Sequence, residues 1–261
     1  MRKTGQEAID GLAELLACSD RVVAFTGAGI STGSGIPDFR GPGGVWSKRT
    51  PVYFDQFVQS EAARVEYWEY KLEGHVAFRD AQPNPAHRAL VELERVGKLR
   101  ALVTQNIDGL HQIAGTSAEA LIELHGSNAT TVCMGCGQRR PSEAALREFE
   151  RTRTPPRCSD CAELLKPGVV MFGESLDMQR LGRAFREAAD CDLMLALGSS
   201  LVVTPAADVP LRAKERGVPY VIVNRGDTPQ DHLATLCIED DVSSVLSAAV
   251  KAAGSRGNQR G

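Results

Sequence analysis

The chain has 261 residues, of which 43% are hydrophobic, and carries a formal net charge of −3. A chain of this length can bury one large core, and its nearly balanced charge does not favour a broad nucleic-acid surface. No apolar segment approaches the ~20 residues that a membrane helix needs. The first 20 residues also lack the uninterrupted apolar segment of a secretory signal, so we expect a cytoplasmic protein with no membrane partner.

Apolar runs and helical patterns alternate along the chain. The first predicted element is an amphipathic helix, in which Ile9, Leu12 and Leu16 repeat at helical spacing. Several later runs are apolar almost throughout, which is typical of strands covered on both faces of a parallel sheet. The predicted strands are, in chain order, RVVAFTG, LRALVTQN, ALIELHG, GVVMFGE, DLMLALGSS, PYVIVNRG and ATLCIED, and the predicted helices between several of them cover 86–96, 177–189, 206–216 and 242–253.

Two stretches interrupt this alternation. Residues 42–80 are rich in aromatic side chains and have helical patterns but no clear strand, and residues 127–167 contain two CxxC pairs. We interpret both stretches as insertions that form a small second domain. The sequence therefore predicts an α/β fold with a Rossmann-like parallel sheet and a smaller domain made of a helical insertion and a zinc ribbon. The sheet domain is predicted to cover 1–41, 81–126 and 168–261.

Four cysteines have the spacing of a zinc ribbon. Cys133 and Cys136 form one CxxC pair, and Cys158 and Cys161 form the other after 21 intervening residues. Two such turns can complete a tetrahedron of thiolates, which leaves no position for water, so we predict one structural Zn²⁺ per chain. A dithiol redox pair is the competing interpretation, but it needs only one CxxC. Nucleic acid is not an expected partner, because the arginines of this segment alternate with acidic residues.

Small or polar residues follow nearly every predicted strand at its carboxyl end. In open parallel sheets, ligands bind outside the carboxyl ends of the strands. Glycine and asparagine also simply end strands, but their repetition after six strands favours one ligand crevice. The residues are Gly27, Gly29, Gln105, Asn106, His125, Gly126, Gly173, Glu174, Gly198, Ser199, Ser200 and Asn224.

The first predicted strand ends in Gly27-Ala28-Gly29, as in a dinucleotide site. A dehydrogenase would continue with a helix and place an acidic residue after a second strand ~20 residues onward. Here Gly33, Gly35 and Pro37 make the next segment too broken for a long regular helix. The region ~20 residues onward, GPGGVWSKRTPVYF, is not a strand. The pattern favours a nucleotide site with a mobile loop over a hydride-transfer enzyme.

Seven motifs together resemble the sirtuin family. They are GAGISTGSGIPDFRG (27–41), TQNIDGLH (104–111), LHG (124–126), the paired CxxC, FGE (172–174), GSSLVVTPA (198–206) and VNRG (223–226). The resemblance follows family order over about residues 5–250. It implies an NAD-dependent protein-lysine deacetylase or deacylase, which consumes NAD as a co-substrate. The implied partners are acylated lysine side chains of proteins, and the implied products are nicotinamide, O-acyl-ADP-ribose and free lysine.

The resemblance also implies roles for individual residues. His125 would act as general base toward a ribose hydroxyl, since an imidazole of pKa ~6.5 is largely neutral at working pH, and Asn106 would orient the ribose or an attacking water. A satisfied core histidine is the competing interpretation of His125. The implied cofactor-binding residues are Gly27, Ala28, Gly29, Ile30, Thr32, Ile36, Asp38, Phe39, Arg40, Gln105, Ile107, Asp108, Gly198, Ser199, Ser200, Asn224, Arg225, Asp241 and Val242, and the implied substrate-binding residues are Val170, Phe172, Gly173 and Glu174.

The acyl preference depends on one stretch, VEYWEYKLEG. Family members that prefer succinyl- or malonyl-lysine carry a Tyr-x-x-Arg pair, and our alignment places Trp68 and Lys71 at those positions. A shift by one residue would place Tyr67 and Tyr70 there instead. We expect this aromatic run to pack the small domain, and we predict neutral acyl groups, acetyl first. Two alternatives stay open: ADP-ribosyl transfer to protein side chains, which shares the cleavage of NAD, and a nucleotide-binding module without turnover.

Overall fold

The computed structural model describes residues 2–38, 44 and 49–257, although the side chains of 256 and 257 are outside the description. Ten strands lie within these residues. They are β1 Arg2–Lys3, β2 Val22–Thr26, β3 Leu99–Thr104, β4 Leu121–Glu123, β5 Gly126–Cys133, β6 Arg139–Pro141, β7 Leu165–Val169, β8 Leu193–Leu197, β9 Tyr220–Val223 and β10 Leu236–Ile238.

Nine α-helices accompany the strands in the described part of the chain. They are α1 Gly5–Ala17, α2 Phe54–Gln59, α3 Glu61–Asp80, α4 Pro85–Arg95, α5 Leu110–Ala114, α6 Ser142–Thr152, α7 Met178–Asp190, α8 Asp208–Glu215 and α9 Val242–Gly257. None of them is long and apolar enough to cross a membrane.

Seven strands form one parallel sheet in the order β1-β10-β9-β8-β2-β3-β4. Alternate side chains of β2 point to opposite faces, so Val22 and Ala24 join one hydrophobic cluster while Val23 and Phe25 join the other. Helices α1, α4 and α9 cover the first face, and α7 and α8 cover the second. The continuous apolar runs of the sequence therefore reflect strands that are buried on both sides.

The chain reverses its direction of travel through the sheet beside β2. From β2 it proceeds to β3 and β4 on one side, whereas β8, β9 and β10 follow one another on the other side. Such a topological switch point leaves a crevice outside the carboxyl ends of the two adjacent strands, because their connections leave in opposite directions. The fold thus places the segments after β2 and β8 at the edge where a ligand would bind.

The two insertions pack together in a hydrophobic cluster of their own, separate from the two clusters that cover the faces of the parallel sheet. Strands β5, β6 and β7 form a small antiparallel sheet, and α6 packs beside it. Phe57 of α2 and Trp68 of α3 are fully buried with Phe149 of α6 in this cluster, which also includes Cys133 and Cys158. The helical insertion and the cysteine-bearing insertion therefore share one hydrophobic core.

The structure corrects one predicted strand. The run GVVMFGE was assigned to the parallel sheet, but β7 covers Leu165–Val169 and pairs antiparallel with β5 in the small sheet. Residues Gly173 and Glu174 consequently lie in a turn and do not end a parallel strand. The helix predicted over 86–96 is observed at Pro85–Arg95. The segment after Gly27 contains no long regular helix, as predicted, and forms two short 3₁₀ helices, Ala28–Ile30 and Thr32–Ser34.

Candidate active site

A cavity of about 720 Å³ lies at the carboxyl edge of the parallel sheet and extends to the small domain. Its walls combine the ends of β2, β3, β8 and β9 with the turn after β7 and with residues of α3. Most of the predicted site residues meet there. They are Gly27, Ala28, Gly29, Asp38, Gln105, Asn106, Ile107, His125, Val170, Phe172, Gly173, Glu174, Gly198, Ser199, Ser200, Asn224 and Arg225.

Among the residues that the structure describes, six predicted site residues do not line this cavity. Ile30 is fully buried in the core under the sheet, and Ile36 packs against Leu110 and Ala81. Their predicted contact with a cofactor stays a prediction, as it does for Thr32, Asp108, Asp241 and Val242. Phe39 and Arg40 lie outside the described residues.

Glycines allow two backbone segments to meet at the switch point. The N–H of Gly29 donates to the carbonyl of Gly198 over 2.8 Å, and that of Gly27 donates to the carbonyl of Leu197 over 3.1 Å. A Cβ on Gly29 would lie 2.7 Å from Gly198 Cα, and one on Gly27 would lie 2.8 Å from Gly198 O. A side chain at either position would force the two segments apart, so the glycines are required by this close approach.

Gly198 gives a testable consequence of this packing. Its φ of +63° is left-handed, and an added Cβ would overlap the backbone nitrogen of Ile30 and lie 2.5 Å from Gly29 C. We expect Gly198→Ala to lower the free energy of unfolding by at least about 3 kcal/mol, from backbone strain and overlap together. Gly217 is the matched control, because its φ is +75° but no atom lies within 4 Å of the added Cβ. Urea unfolding of both variants measures the difference, and equal losses would contradict the prediction.

His125 is half-buried at the wall of the cavity, between the sheet and the small domain. Its Nδ1 lies 3.0 Å from the backbone carbonyl of Gln105. Because a carbonyl oxygen only accepts hydrogen bonds, this contact places the proton of the neutral ring on Nδ1 and the lone pair on Nε2. The carbonyl of His125 in turn accepts from the N–H of Val170 over 2.9 Å. The ring is thereby held in one tautomer suited to accepting a proton at Nε2.

Asn106 is buried behind the cavity wall and tied to the loop after β2. Its Nδ2 donates to Gly27 O and to Ser31 Oγ, both over 3.2 Å, and its backbone N–H donates to Thr104 Oγ1. Ser31 Oγ donates onward to Asp108 Oδ2 over 2.7 Å. Burial raises the pKa of the Asp108 carboxyl, while the hydrogen bond from Ser31 opposes that shift. These bonds couple the end of β3 to the first turn after β2.

The far end of the cavity contains Asn224 and Arg225, which follow β9. The guanidinium of Arg225 lies 3.1 Å from Asp241 Oδ2, and Asp241 Oδ1 accepts from the N–H of Ser244 in the first turn of α9. Asp241 therefore caps α9 and orients Arg225, which itself reaches the wall. Gln105 Nε2 donates to Ser199 Oγ over 2.8 Å and joins the ends of β3 and β8.

The small-domain end of the cavity corrects our alignment of VEYWEYKLEG. Tyr67 and Tyr70 line the cavity. Trp68 instead packs on Phe149, and Lys71 is buried with its Nζ donating to the backbone carbonyl and the side-chain oxygen of Asn128. Residues three apart share a helix face, so the alignment with Trp68 and Lys71 was wrong by one residue. The predicted packing role holds for Trp68 and for Tyr67, whose ring packs edge-on against Phe57 at 5.6 Å, whereas Tyr70 lines the cavity beside Arg49.

Sequence reasoning also missed a cation at this end. Arg49 lines the cavity, contacts Glu73 Oε2 over 2.5 Å and lies 5.6 Å from the centre of the Tyr70 ring. Its charge is therefore already paired with a carboxylate and placed over an aromatic face. No local pattern in the sequence could have found this residue, because only the path of the chain brings it to α3.

Two buried histidines lie beneath the site. The rings of His87 and His111 are 4.8 Å apart, and His111 Nε2 bonds Thr26 Oγ1, which donates to Thr104 Oγ1. His87 Nδ1 accepts from the N–H of Asn84. Burial lowers the pKa of His87 to about 4 and that of His111 to about 3. Both rings are therefore neutral supports of the strand ends at neutral pH.

This pair predicts how stability depends on pH. The unfolded chain takes up protons below a pKa of ~6.5, whereas the folded rings resist protonation, so stability is present above pH 6.5 and is lost as the pH falls toward 4. With a folded pKa of about 4, His87 alone costs about 2 kcal/mol at pH 5. Urea unfolding at pH 7.5 and pH 5 measures the loss. His87→Gln should reduce it, whereas the exposed His232→Gln should leave it unchanged.

The four predicted zinc ligands lie together. Their Sγ atoms are all within 4.8 Å of one another, with Cys133 to Cys161 at 3.4 Å and Cys136 to Cys158 at 3.8 Å. A tetrahedral zinc with Zn–S bonds of ~2.3 Å separates its sulfurs by ~3.8 Å, so the cluster fits the ion. The N–H of Cys136 donates to Cys133 Sγ, and this hydrogen bond lowers the pKa of the Cys133 thiol to about 6, which favours the thiolate that binds metal.

The chain is similar to proteins of known family. A family model described as Sir2 family matches residues 27–205. An NAD-dependent protein deacetylase of Rhodopseudomonas palustris is 44% identical over 242 residues, which cover 93% of this chain and 96% of the relative. One of Thermodesulfovibrio yellowstonii is 41% identical over 240 residues, which cover 92% of this chain and 93% of the relative.

Solved structures give the same result for the fold. A structure solved for the mechanism and regulation of Sir2 enzymes has a TM-score of 0.87 at 40% identity and covers 97% of this chain and 100% of its own. A Sir2 structure with a p53 peptide and NAD⁺ has a TM-score of 0.86 at 39% identity, covering 94% and 98%. A third, with a deacetylated p53 peptide and 3′-O-acetyl-ADP-ribose, has a TM-score of 0.87 at 40% identity, covering 93% and 97%.

Proposed function

The chain belongs to the Sir2 family, and from that premise we propose how its residues carry out NAD-dependent protein deacetylation. The activity follows from relatives named for it over nine-tenths of the chain and from Sir2 structures that contain NAD⁺ and a peptide. The observation that carries the assignment of residues is the placement of His125. It stands in one cavity with the strand-end glycines on one side and the turn after β7 on the other.

NAD would be held at the sheet edge. Gly27, Ala28, Gly29 and Gly198 line the cavity where the first turn after β2 would face the phosphates, and Ser199 and Ser200 offer hydroxyls beside them. Asn224 and Arg225 would hold the adenosine end, and Asp38 and Ile107 would flank the nicotinamide end. When bound, NAD supplies the ribose carbon from which nicotinamide departs. The roles of Ile30, Thr32, Ile36, Phe39, Arg40, Asp108, Asp241 and Val242 stay predictions from the family resemblance.

His125 would act as the general base. Gln105 O fixes the Nδ1–H tautomer, so Nε2 is the atom that takes a proton from a ribose hydroxyl. Asn106 would act with it, because its side chain is held at the first turn after β2 by Gly27 O and Ser31 Oγ. Water supplies the atoms that complete the release of free lysine, and the acyl group leaves as O-acyl-ADP-ribose.

The acyl-lysine of a protein or peptide would enter beside the turn after β7. Val170, Phe172, Gly173 and Glu174 line the cavity there, and their backbone can pair with an extended peptide. We propose neutral acyl groups, acetyl first, since the charge of Arg49 is already paired with Glu73. The shared core of the two insertions supports their grouping as one small domain over 42–80 and 127–167, where the four cysteines can hold a structural zinc ion. A cytoplasmic location and the absence of a nucleic-acid partner stay predictions.

One reaction tests this function. The purified chain is incubated with an acetyl-lysine peptide and NAD, and the products are identified by mass spectrometry. Deacetylated peptide, nicotinamide and O-acetyl-ADP-ribose in equal amounts are the expected result. Nicotinamide with unchanged peptide and a mass gain on protein would instead establish ADP-ribosyl transfer. No consumption of NAD with acetyl, propionyl or longer neutral acyl peptides would contradict the proposed activity.

A further inference from the structure

A buried lysine stands behind the wall of the cavity. Lys166 lies in β7, and only 9% of its side chain is exposed. Its Nζ donates to Val169 O over 2.5 Å, to Pro167 O over 3.2 Å and to Glu174 Oε2 over 3.0 Å. All three donor positions of the ammonium are therefore directed at β7 itself and at the turn that follows it.

Glu174 closes that turn from the other side. Its Oε2 accepts the N–H of Met171 over 2.9 Å in addition to Lys166, and its own N–H donates to Met171 O over 3.0 Å. One carboxylate oxygen thus fixes both the first and the last residue of the turn 171–174. Hydrogen bonds to a charged group are stronger than neutral ones, so this contact defines the turn more firmly than the backbone bond alone.

The same turn is bonded to both sides of the cavity. The N–H of Val170 donates to His125 O over 2.9 Å, and the carbonyl of Phe172 accepts from the N–H of Phe54 at the start of α2. The residues between Lys166 and Glu174 therefore connect the proposed base to the helical insertion. A shift of the turn would move the wall formed by Val170 and Phe172 relative to His125.

The pairing with Glu174 stabilises the positive charge of Lys166 in its buried position. Burial lowers the pKa of Lys166, and the nearby Glu174 carboxylate opposes that shift. The adjacent buried amine of Lys71 has no ion pair with a carboxylate in the described part of the chain and bonds Asn128 instead, and burial lowers its pKa to about 7. Removing Lys166 would leave Glu174 partly buried without its cation, which favours a rearrangement of the carboxylate and with it of the turn.

We propose that Lys166 is a positioning residue that acts through Glu174 to hold the turn 171–174, and Val170 before it, in the geometry at which an acyl-lysine meets His125. The proposal deepens the proposed function and rests on it for its kinetic consequence. It also assigns Glu174 an internal structural contact as its main role, so that its carboxylate would serve the shape of the turn and not contact the substrate peptide itself.

Kinetics of four variants test the proposal. We expect Lys166→Met to raise KM for the acetyl peptide about tenfold while KM for NAD changes less than about twofold, because the glycines of the sheet edge do not depend on this turn. Glu174→Gln keeps an acceptor oxygen and the side-chain volume, so it should give a smaller increase. The double variant should raise KM for the peptide as much as Lys166→Met does, since both substitutions act on the same contact between Lys166 and Glu174.

Lys98→Met is the matched control. Lys98 Nζ donates to the carbonyls of Leu16 and Ser19 at the opposite end of the sheet, so its loss should lower stability without raising KM for the peptide. An unchanged KM in Lys166→Met, or an equal rise in Lys98→Met, would overturn the proposal. An increase in Glu174→Gln alone would show that Glu174 contacts the peptide directly.

Hydrogen exchange separates this inference from the function itself. The amides of Val170 and Met171 should exchange at least about tenfold faster in Lys166→Met than in wild type. The reason is that their hydrogen bonds to His125 O and to Glu174 Oε2 depend on the geometry of the turn. In Lys98→Met both exchange rates should be unchanged. If the wild type failed to deacetylate any peptide, the proposed function would be wrong, yet this measurement would still decide whether Lys166 holds the turn. Unchanged exchange in Lys166→Met would overturn the inference whatever the activity.

Discussion

His125→Ala is expected to lower kcat for deacetylation about 10³-fold while leaving NAD bound. The expected loss follows from the contribution of ~10²–10⁴ that a positioned general base makes. NAD should still stabilise the variant against heat, because the glycine-lined sheet edge does not involve the imidazole. Mass spectrometry of single-turnover reactions measures the first effect, and thermal unfolding with and without NAD measures the second.

His75→Gln is the control for this variant. His75 lies half-buried on α3 and does not line the cavity as the described residues form it, so kcat should stay within about twofold of wild type. A His125→Ala protein as active as wild type would remove His125 from the mechanism. Loss of activity together with loss of the NAD-dependent stabilisation would indicate that the imidazole serves binding and not proton transfer.

Cys158→Ala is expected to abolish zinc binding and to destabilise the small domain by at least about 4 kcal/mol, which lowers the melting temperature by ~10 °C. Cys158 is 4% exposed and lies in the core that contains Phe57, Trp68 and Phe149, so a three-sulfur site would open this core to water. Zinc content by inductively coupled plasma mass spectrometry and thermal unfolding measure the two effects. Deacetylation should fall as well, because the turn that lines the cavity continues directly from β7 of the same small sheet.

Cys18→Ala provides the comparison. Cys18 is an exposed free thiol outside the cluster, so its variant should keep one zinc per chain and the wild-type melting temperature. A chelator should reproduce the behaviour of Cys158→Ala in the wild type. A Cys158→Ala protein that still held one zinc per chain would show that the ion binds elsewhere or needs only three of these sulfurs.

The position of the cavity could be predicted because a parallel sheet brings all carboxyl strand ends to one edge. Gly27, Gln105, Gly198 and Asn224 are far apart in sequence, yet each follows a strand, and this alone placed them together. The zinc cluster could also be predicted from the sequence, since two CxxC pairs at this separation are typical of a zinc ribbon. These features depend on local patterns and on general rules of topology.

Other features could not be read from local patterns. The apolar run GVVMFGE would fit either sheet, and only the pairing of β7, which ends inside this run, with β5 decides between them. The register of α3 depends on which face meets Phe149, so the placement of Tyr67 and Tyr70 toward the cavity required the small-domain core. Lys166 has no signature at all, because a lysine in a strand is ordinarily exposed.

The two ends of the cysteine-bearing insertion adjoin. Gly126 at the start of β5 pairs across the ladder with Val169 at the end of β7, so the 42 residues between them leave the sheet domain and return to it at one rung. Joining two neighbouring points across a gap requires only a short connection. By connectivity alone, this segment could be deleted and replaced by a tight turn.

Its packing opposes such a deletion. Without Phe149 and Cys133, the fully buried Phe57 and Trp68 of the other insertion would face water, at a cost of about 2 kcal/mol for each large side chain. The chain connectivity would therefore allow one insertion to be removed without the other, but the loss of their shared core would destabilise the one that remains. A shortened enzyme would have to lose both insertions together or provide another cover for these two aromatic rings.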